Sequence, residues 1–394
     1  MLKRLFGKDG GMYGVVSIAL VLFSAHAGGG FATGNQANTY FVGLGWTGIV
    51  SAVVAMLLLT AMLKEAMTMY NSRGLKSYKE LFETLYHPFD KLEIAFEVFY
   101  YIMVVMVVAT TISGAASAIK EYFGFSYVSG VVAVSALTLV LVIFGASVVR
   151  VVGSYMGLVI LVTSLVIYAV GSFKGDGILN VLRLDFANSG FDNLPKAFMN
   201  GFIYAGFQCV QIPAMVACGG VLKNKNEVSN SMKLSAVINA LALGLSVAML
   251  LSWKSYYTVV DGGTTLPTLT ATKAMGYEWM TVFYAISLIL CLVSSAVSIT
   301  FGFVARFERA SVLKRVSDVK VRRFLVAIFI LAVSMLISMA GLTNIIKYGY
   351  GYCGYVAIVL IVVPLLTVGA YKNKKYLSER EYKNFANAEP VNEI

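Results

Sequence analysis

Residues 24–36 read SAHAGGGFATGNQ, from Ser24 to Gln36, and they follow an apolar run that looks like half of a membrane-crossing helix. In water such a stretch would pass for a loop or a glycine-rich phosphate cradle. In a bilayer every backbone group freed by a break needs a partner inside the protein or a bound solute. The reading of the whole chain therefore turns on the solvent around these residues.

Composition decides the solvent. Of 394 residues 58% are hydrophobic and only 13% charged, and the mean hydropathy is +0.78. A soluble domain carries roughly a quarter charged residues. The apolar residues fall into repeated segments of about 20 residues, the length that crosses the hydrocarbon. Ten spans are expected: 12–40 (interrupted at the glycines), 43–69, 91–119, 127–147, 151–173, 197–220, 231–253, 277–305, 322–342 and 350–371. The first follows Lys3, Arg4 and Lys8 as a signal peptide would, but it has no clean cleavage site and is read as retained.

The net charge of +11 does not require nucleic acid, because the basic residues sit in short loops. Ten spans with both termini cytoplasmic put 23 of the 31 lysines and arginines on the inner side and seven on the outer. That is the positive-inside bias, and one missing span would invert every later loop. Residues 71–90 are expected to form an amphipathic surface helix ended by Pro88. Residues 174–196 read as an external loop, 259–276 as an external turn and short helix, 306–321 as a basic cytoplasmic linker, and 372–394 as a mobile cytoplasmic tail. Cys209, Cys218, Cys291 and Cys353 lie in or beside apolar segments without a paired spacing, so they read as small buried residues and no disulfide is expected. Nucleotide, zinc and EF-hand signatures are not found.

Span six carries a second irregularity: Gly201, Gly206, Gln208, Gln211, Pro213 and Gly219-Gly220. Pro213 has no amide hydrogen and frees a carbonyl near Cys209. Interruptions at positions one and six of ten imply two five-span halves, 12–173 and 197–371, each opening with a broken helix. Five is odd, so the halves must be inverted with respect to each other, as in secondary transporters that bind solute near the midplane. Glycine packing and proline kinking alone remain the alternative for either break by itself.

The GGGFATGNQ motif resembles the start of the YkvI-like membrane proteins. This bacterial family is related to branched-chain amino-acid carriers and the amino acid, polyamine and organocation transporter superfamily. The resemblance implies an all-α, five-plus-five inverted-repeat (LeuT-like) fold in a bacterial cytoplasmic membrane. It also implies a solute carboxylate at Gly28, Gly29, Gly30 and Phe31, with Tyr204, Ala205, Gly206, Phe207 and Gln208 as the opposite wall. The half-helix after the glycines independently offers free amides and a positive dipole end. By the same resemblance a sodium ion would be held by the carbonyls of Ser24, Ala27 and Cys291 and the hydroxyls of Ser294 and Ser295. The sequence departs from the family at Gln36, commonly acidic, and at His26, commonly small or apolar. His26 is read either as a neutral helix-to-helix hydrogen bonder or as a residue for proton coupling or solute contact.

Thr110, Thr111 and Ser113 are candidates for lining the cavity, and Asn239 for a bond between helices. Glu93, Glu97 and the Lys64–Glu65 pair read as ion pairs of gates or loops. Phe31, Tyr204 and Phe207 are placed to close over a solute. The function expected is alternating-access transport of an amino acid or related metabolite, coupled to sodium in preference to protons, with no nucleic-acid partner and no cofactor beyond the ion. A channel or a solute sensor on the same scaffold is the alternative. An enzyme is not expected, since His26 and His87 lie in different regions and no catalytic cluster is visible.

Overall fold

A backbone that leaves water must close its hydrogen bonds within each segment, and in this chain it does so through helices. The computed structural model describes residues 11–28, 30–144, 159, 161–307, 316 and 318–386, and among these there are helices and turns but no strand. Seven helical segments are long and apolar enough to cross a membrane, and three shorter apolar helices coincide with the expected spans one, four and five. This is a multi-pass membrane protein.

In chain order the helices are α1 Gly11–His26, α2 Asn35–Tyr40, α3 Trp46–Arg73, α4 Tyr78–Tyr86, α5 Glu93–Phe123, α6 Tyr127–Phe144 and α7 Leu161–Ser172. They continue with α8 Ile178–Ser189, α9 Leu194–Phe207, α10 Ile212–Cys218, α11 Lys225–Ser252, α12 Pro267–Ala274, α13 Glu278–Phe307 and α14 Val319–Ser338. The last segment, from Leu342, is a continuous rod in which α15 Gly351–Ala357 and α16 Ala370–Ala386 alternate with three wider π-helical turns. Helices α1, α3, α9 and α11 pack on one another, while α5, α6, α13 and α14 form a second group. The final rod runs along α9 and also touches α5.

Lipid gives helices no hydrophobic reason to associate, so close approach of small residues carries much of the packing. At the α9 and α15 crossing, a Cβ on Gly206 would sit 2.6 Å from the Gly354 carbonyl oxygen, and one on Gly354 would sit 2.5 Å from that of Ile203. Only glycine at both positions lets the two backbones meet.

Several sequence expectations are corrected. The stretch 174–196, expected as an external loop, contains helix α8, whose Asp185 carboxylate accepts the Trp46 amide at 2.7 Å. The segment expected as span nine begins at Val319 and ends at Ser338, because Asp318 caps it by accepting the Lys320 amide at 2.7 Å. The expected mobile tail instead starts as helix α16, clasped to the other end of the chain. Lys372 Nζ donates to the carbonyls of Thr84, Leu85 and His87, at 2.9, 3.1 and 2.8 Å, satisfying orphan acceptors at the end of α4. Asn373 donates to Glu65, and Arg73 donates to Asn373 and the Lys372 carbonyl. Cys209 and Cys291 are buried, but Cys218 is exposed and Cys353 half-buried; none forms a disulfide.

The expected surface helix within 71–90 is α4. Ser77 caps it by accepting the Glu80 amide, and it ends at Tyr86, two residues before Pro88. The turn and short helix expected at 259–276 are present as α12.

Candidate functional site

The first break runs from Ala27 to Gly34, between α1 and α2; Gly29 lies outside the described residues. The amides of Gly28 and Gly30 donate to no described residue. The far side of the break is tied down: Thr33 Oγ1 donates to the Gly30 carbonyl at 2.9 Å, and the Gln36 amide donates to the same carbonyl at 3.1 Å. Gly34 has φ of 80°, and a Cβ there would stand 2.2 Å from Thr268 Oγ1. Glycine is therefore required both for the turn and for α12 to rest on it.

Buried polar side chains from four helices brace this break. Asn239 of α11 donates its amide to the Ser235 carbonyl at 2.9 Å, so its oxygen is the atom facing His26 Nδ1, also at 2.9 Å. Nδ1 must then carry hydrogen. The Tyr204 hydroxyl of α9 lies 2.8 Å from His26 Nε2 and 2.8 Å from Gln36 Oε1. Its single hydrogen can serve only one of them. A neutral His26 takes it on Nε2, and Gln36 then turns its amide toward the tyrosine oxygen; a cationic His26 donates from Nε2 and leaves the hydrogen for Gln36. The orientation of Gln36, packed against Gly30, is thereby linked to the proton count on His26.

Aromatic rings enclose this chain. Phe31 stacks on His26 at 4.8 Å, and Tyr204 meets Phe41 at 5.0 Å and Phe207 at 4.7 Å. Phe207 contacts Tyr350 at 5.1 Å, whose hydroxyl pairs with that of Thr110 at 2.7 Å. Gly30, Phe31, Tyr204 and Phe207, with His26 and Gln36, thus come together, and Thr110 joins them through Tyr350. Thr111 is buried but bonds its own helix, at Val108. Ser113 pairs with Tyr127.

The opposite wall differs from the expectation. Helix α9 ends at Phe207, and Gln208–Gln211 form one tighter 3-10 turn before α10. Its backbone stays right-handed, so span six is tightened rather than unwound. Pro213, near the start of α10, removes the donor that would have continued the ladder. Gly206 faces Gly354 in the packing seam, the Ala205 carbonyl accepts the Cys209 thiol, and Gln208 Oε1 accepts from Gln211.

Around Gly28 the structure gathers some of the expected ion ligands. A Cβ on Gly28 would be 3.0 Å from Ser295 Oγ, and the Cys291 thiol points at the Ala27 carbonyl at 3.8 Å. Cysteine thus meets span one through sulfur, where its carbonyl was expected. Ser24 and Ser294 are half-buried on the same two segments.

Away from the break, Glu93 pairs with Lys79 at 3.2 Å, Glu97 with Arg306 at 2.7 Å, and Lys64 with Glu65 at 2.9 Å. The Glu93 bond raises the Lys79 ammonium above the usual lysine range. Sequence reasoning missed Tyr168 of α7, Thr268 of α12 and Tyr284 of α13, which border the break at Phe31, Gly34 and Ala32, and Ser246 of α11, which lies beside Tyr168. For Ser246 a signal existed: with Ser235 and Asn239 it falls at helical spacing on one face of α11.

No protein-family model matches this chain, and no curated protein does. Solved structures do. A Na+-coupled sialic acid symporter in a substrate-bound outward-open state superimposes with a TM-score of 0.61 at 15% identity, over 90% of this chain and 79% of the other. The fold is that of the LeuT-type transporters. MhsT in complex with L-phenylalanine shares this LeuT-like fold at a TM-score of 0.56 and 11% identity, over 94% of this chain and 99% of MhsT. The Eremococcus coleocola manganese transporter shares it at 0.53 and 14%, over 96% and 88%.

Proposed function

We propose that this chain is a secondary active transporter that carries an amino acid or related small metabolite by alternating access. The observation that supports it best is the Ala27–Gly34 break, an irregular backbone inside an apolar chain whose Gly28 and Gly30 amides donate to no described residue, braced by His26, Tyr204, Gln36 and Asn239. Non-helical backbone at membrane depth is tolerated where protein encloses it or where it meets a solute. In this reading ten spans form two inverted halves, both termini face the cytoplasm, and the membrane is the bacterial cytoplasmic one. The solute's anionic group sits on the amides of Gly28, Gly29 and Gly30, beside Phe31, whose own amide donates to the Gly28 carbonyl at 3.3 Å, at the positive end of the half-helix that follows. Tyr204 and Phe207 form the facing wall, with Ala205, Gly206 and Gln208 behind them, and Thr110 and Thr111 lie at its edge. Sodium is the coupling ion, held near Gly28 by Ser24, Ala27, Cys291, Ser294 and Ser295, and His26 links the break to α9 and α11.

The test is uptake of a labelled amino-acid panel into proteoliposomes under separately imposed sodium and proton gradients. Saturable uptake driven by the sodium gradient is expected, with Ser294→Ala/Ser295→Ala weakening its sodium dependence. If uptake answers to neither gradient and no exchange with internal solute occurs, the proposal fails. Ion currents above carrier turnover would identify a channel instead.

A further inference from the structure

Phe31 divides the polar interior in two. One face of its ring stacks on His26, and its edge meets Tyr168 at 6.2 Å. Beyond Tyr168 lies a second set of polar side chains that the bonds around His26 do not use. The Tyr168 hydroxyl faces Ser246 of α11, Thr268 of α12 and Ser164 of its own helix. The side-chain oxygens of Tyr168, Ser246 and Thr268 are fully buried, and none makes a hydrogen bond of good geometry. Tyr284 stands beside Tyr168 and Thr268 but donates its own hydrogen to the Ala32 carbonyl.

Folded proteins rarely leave one buried hydroxyl unpaired, and here three helices bring three such groups together. Each can donate and accept, and the polar groups facing Tyr168 include neither a carboxylate nor a base. The chemistry therefore suits an uncharged hydrogen-bonding group. This set of hydroxyls also adjoins the break: the Thr268 amide donates to the Thr33 carbonyl at 3.4 Å, and Gly34 packs on Thr268. A solute whose ionic end rests on the glycine amides of the break would send its side chain past Phe31 toward these oxygens.

We propose that Tyr168, Ser246 and Thr268 form a side-chain subsite that makes the carrier select small amino acids with neutral polar side chains over apolar ones of equal size. This inference rests on the transporter reading above. A site built to bond a hydroxyl rejects the analogue that lacks it, because its own polar groups are then left unpaired.

The experiment is equilibrium binding to the purified full chain, and uptake in proteoliposomes, with two matched pairs: L-serine against L-alanine, and L-threonine against L-valine. The hydroxylated member of each pair should bind about tenfold or more tightly, the worth of one or two well-made bonds. Tyr168→Phe, Ser246→Ala and Thr268→Val should each shrink the ratio, and the triple variant should bring it below about threefold with alanine binding retained. The wild-type ratios need no variant to fold. Equal affinities within both pairs, the result if these hydroxyls never meet the solute, overturn this inference and leave the transporter reading standing. A preference that survives the triple variant overturns it as well. If no amino acid binds or is carried, both readings fall.

Discussion

The two interruptions, Ala27–Gly34 and Gln208–Gln211, are built differently. The first is a true opening: the described residues from Ala27 to Gly34 leave the helix, the Gly28 and Gly30 amides donate to no described residue, and His26, Tyr204, Gln36 and Asn239 hold the ends. The second is a single tighter turn at Gln208–Gln211, in a segment whose glycine faces another backbone. Backbone able to meet a ligand is thus concentrated in the first, and the second supplies a firm wall of rings. The two would be expected to fail in different ways when altered.

The largest effect is expected at Gly34. Gly34→Ala places a Cβ 2.2 Å from Thr268 Oγ1 at a φ of 80°, so it should reduce uptake to background while the chain still inserts and purifies. Normal transport by this variant would show that the opening does not need α12 seated on it. Next comes Tyr204→Phe, which removes one oxygen and leaves both His26 Nε2 and Gln36 short of a partner. Each orphaned group costs about 1–3 kcal/mol, so solute affinity should weaken tenfold or more in equilibrium binding, with little change in the amount of folded protein.

Gly206→Ala should do the reverse. Its new methyl meets the Gly354 backbone, and overpacking of this kind costs about 1–3 kcal/mol, so thermal stability should fall while the affinity of folded protein stays near normal. If affinity drops and stability holds, the firm-wall description of span six is wrong. The smallest effect concerns Lys79. Its pKa is raised in the folded state by Glu93, so the pair stabilises the protein fully below the ordinary lysine pKa and loses that contribution as pH climbs through the raised value. A melting curve for Lys79→Met should match the wild type above that range and lie only slightly below it at neutral pH, because an exposed ammonium is screened by water.

Much of the fold was legible because membrane insertion constrains sequence strongly: apolar length and basic loops mark the spans, and Gly28 to Gly30 mark the first opening. Helix ends were less legible where one side chain decides them, as Asp318 does for α14. The site was legible in part. His26 and Asn239 stood out as polar residues in apolar runs, but their pairing through Tyr204 depends on how α1, α9 and α11 cross, which no local pattern states. Gly206 was read as lining because glycine marks both openings and packing seams. Lys372 looked like any basic residue after a last span, and its three carbonyl partners lie nearly 300 positions earlier.

That clasp has a consequence for how the protein is made. Ribosomes build the chain from its amino end, so the α3 and α4 hairpin emerges long before Lys372, and throughout insertion of the later spans the carbonyls of Thr84, Leu85 and His87 lack this donor. The last described helix to be synthesised fastens one of the earliest pieces, and this end of the bundle is completed only when translation has passed α16.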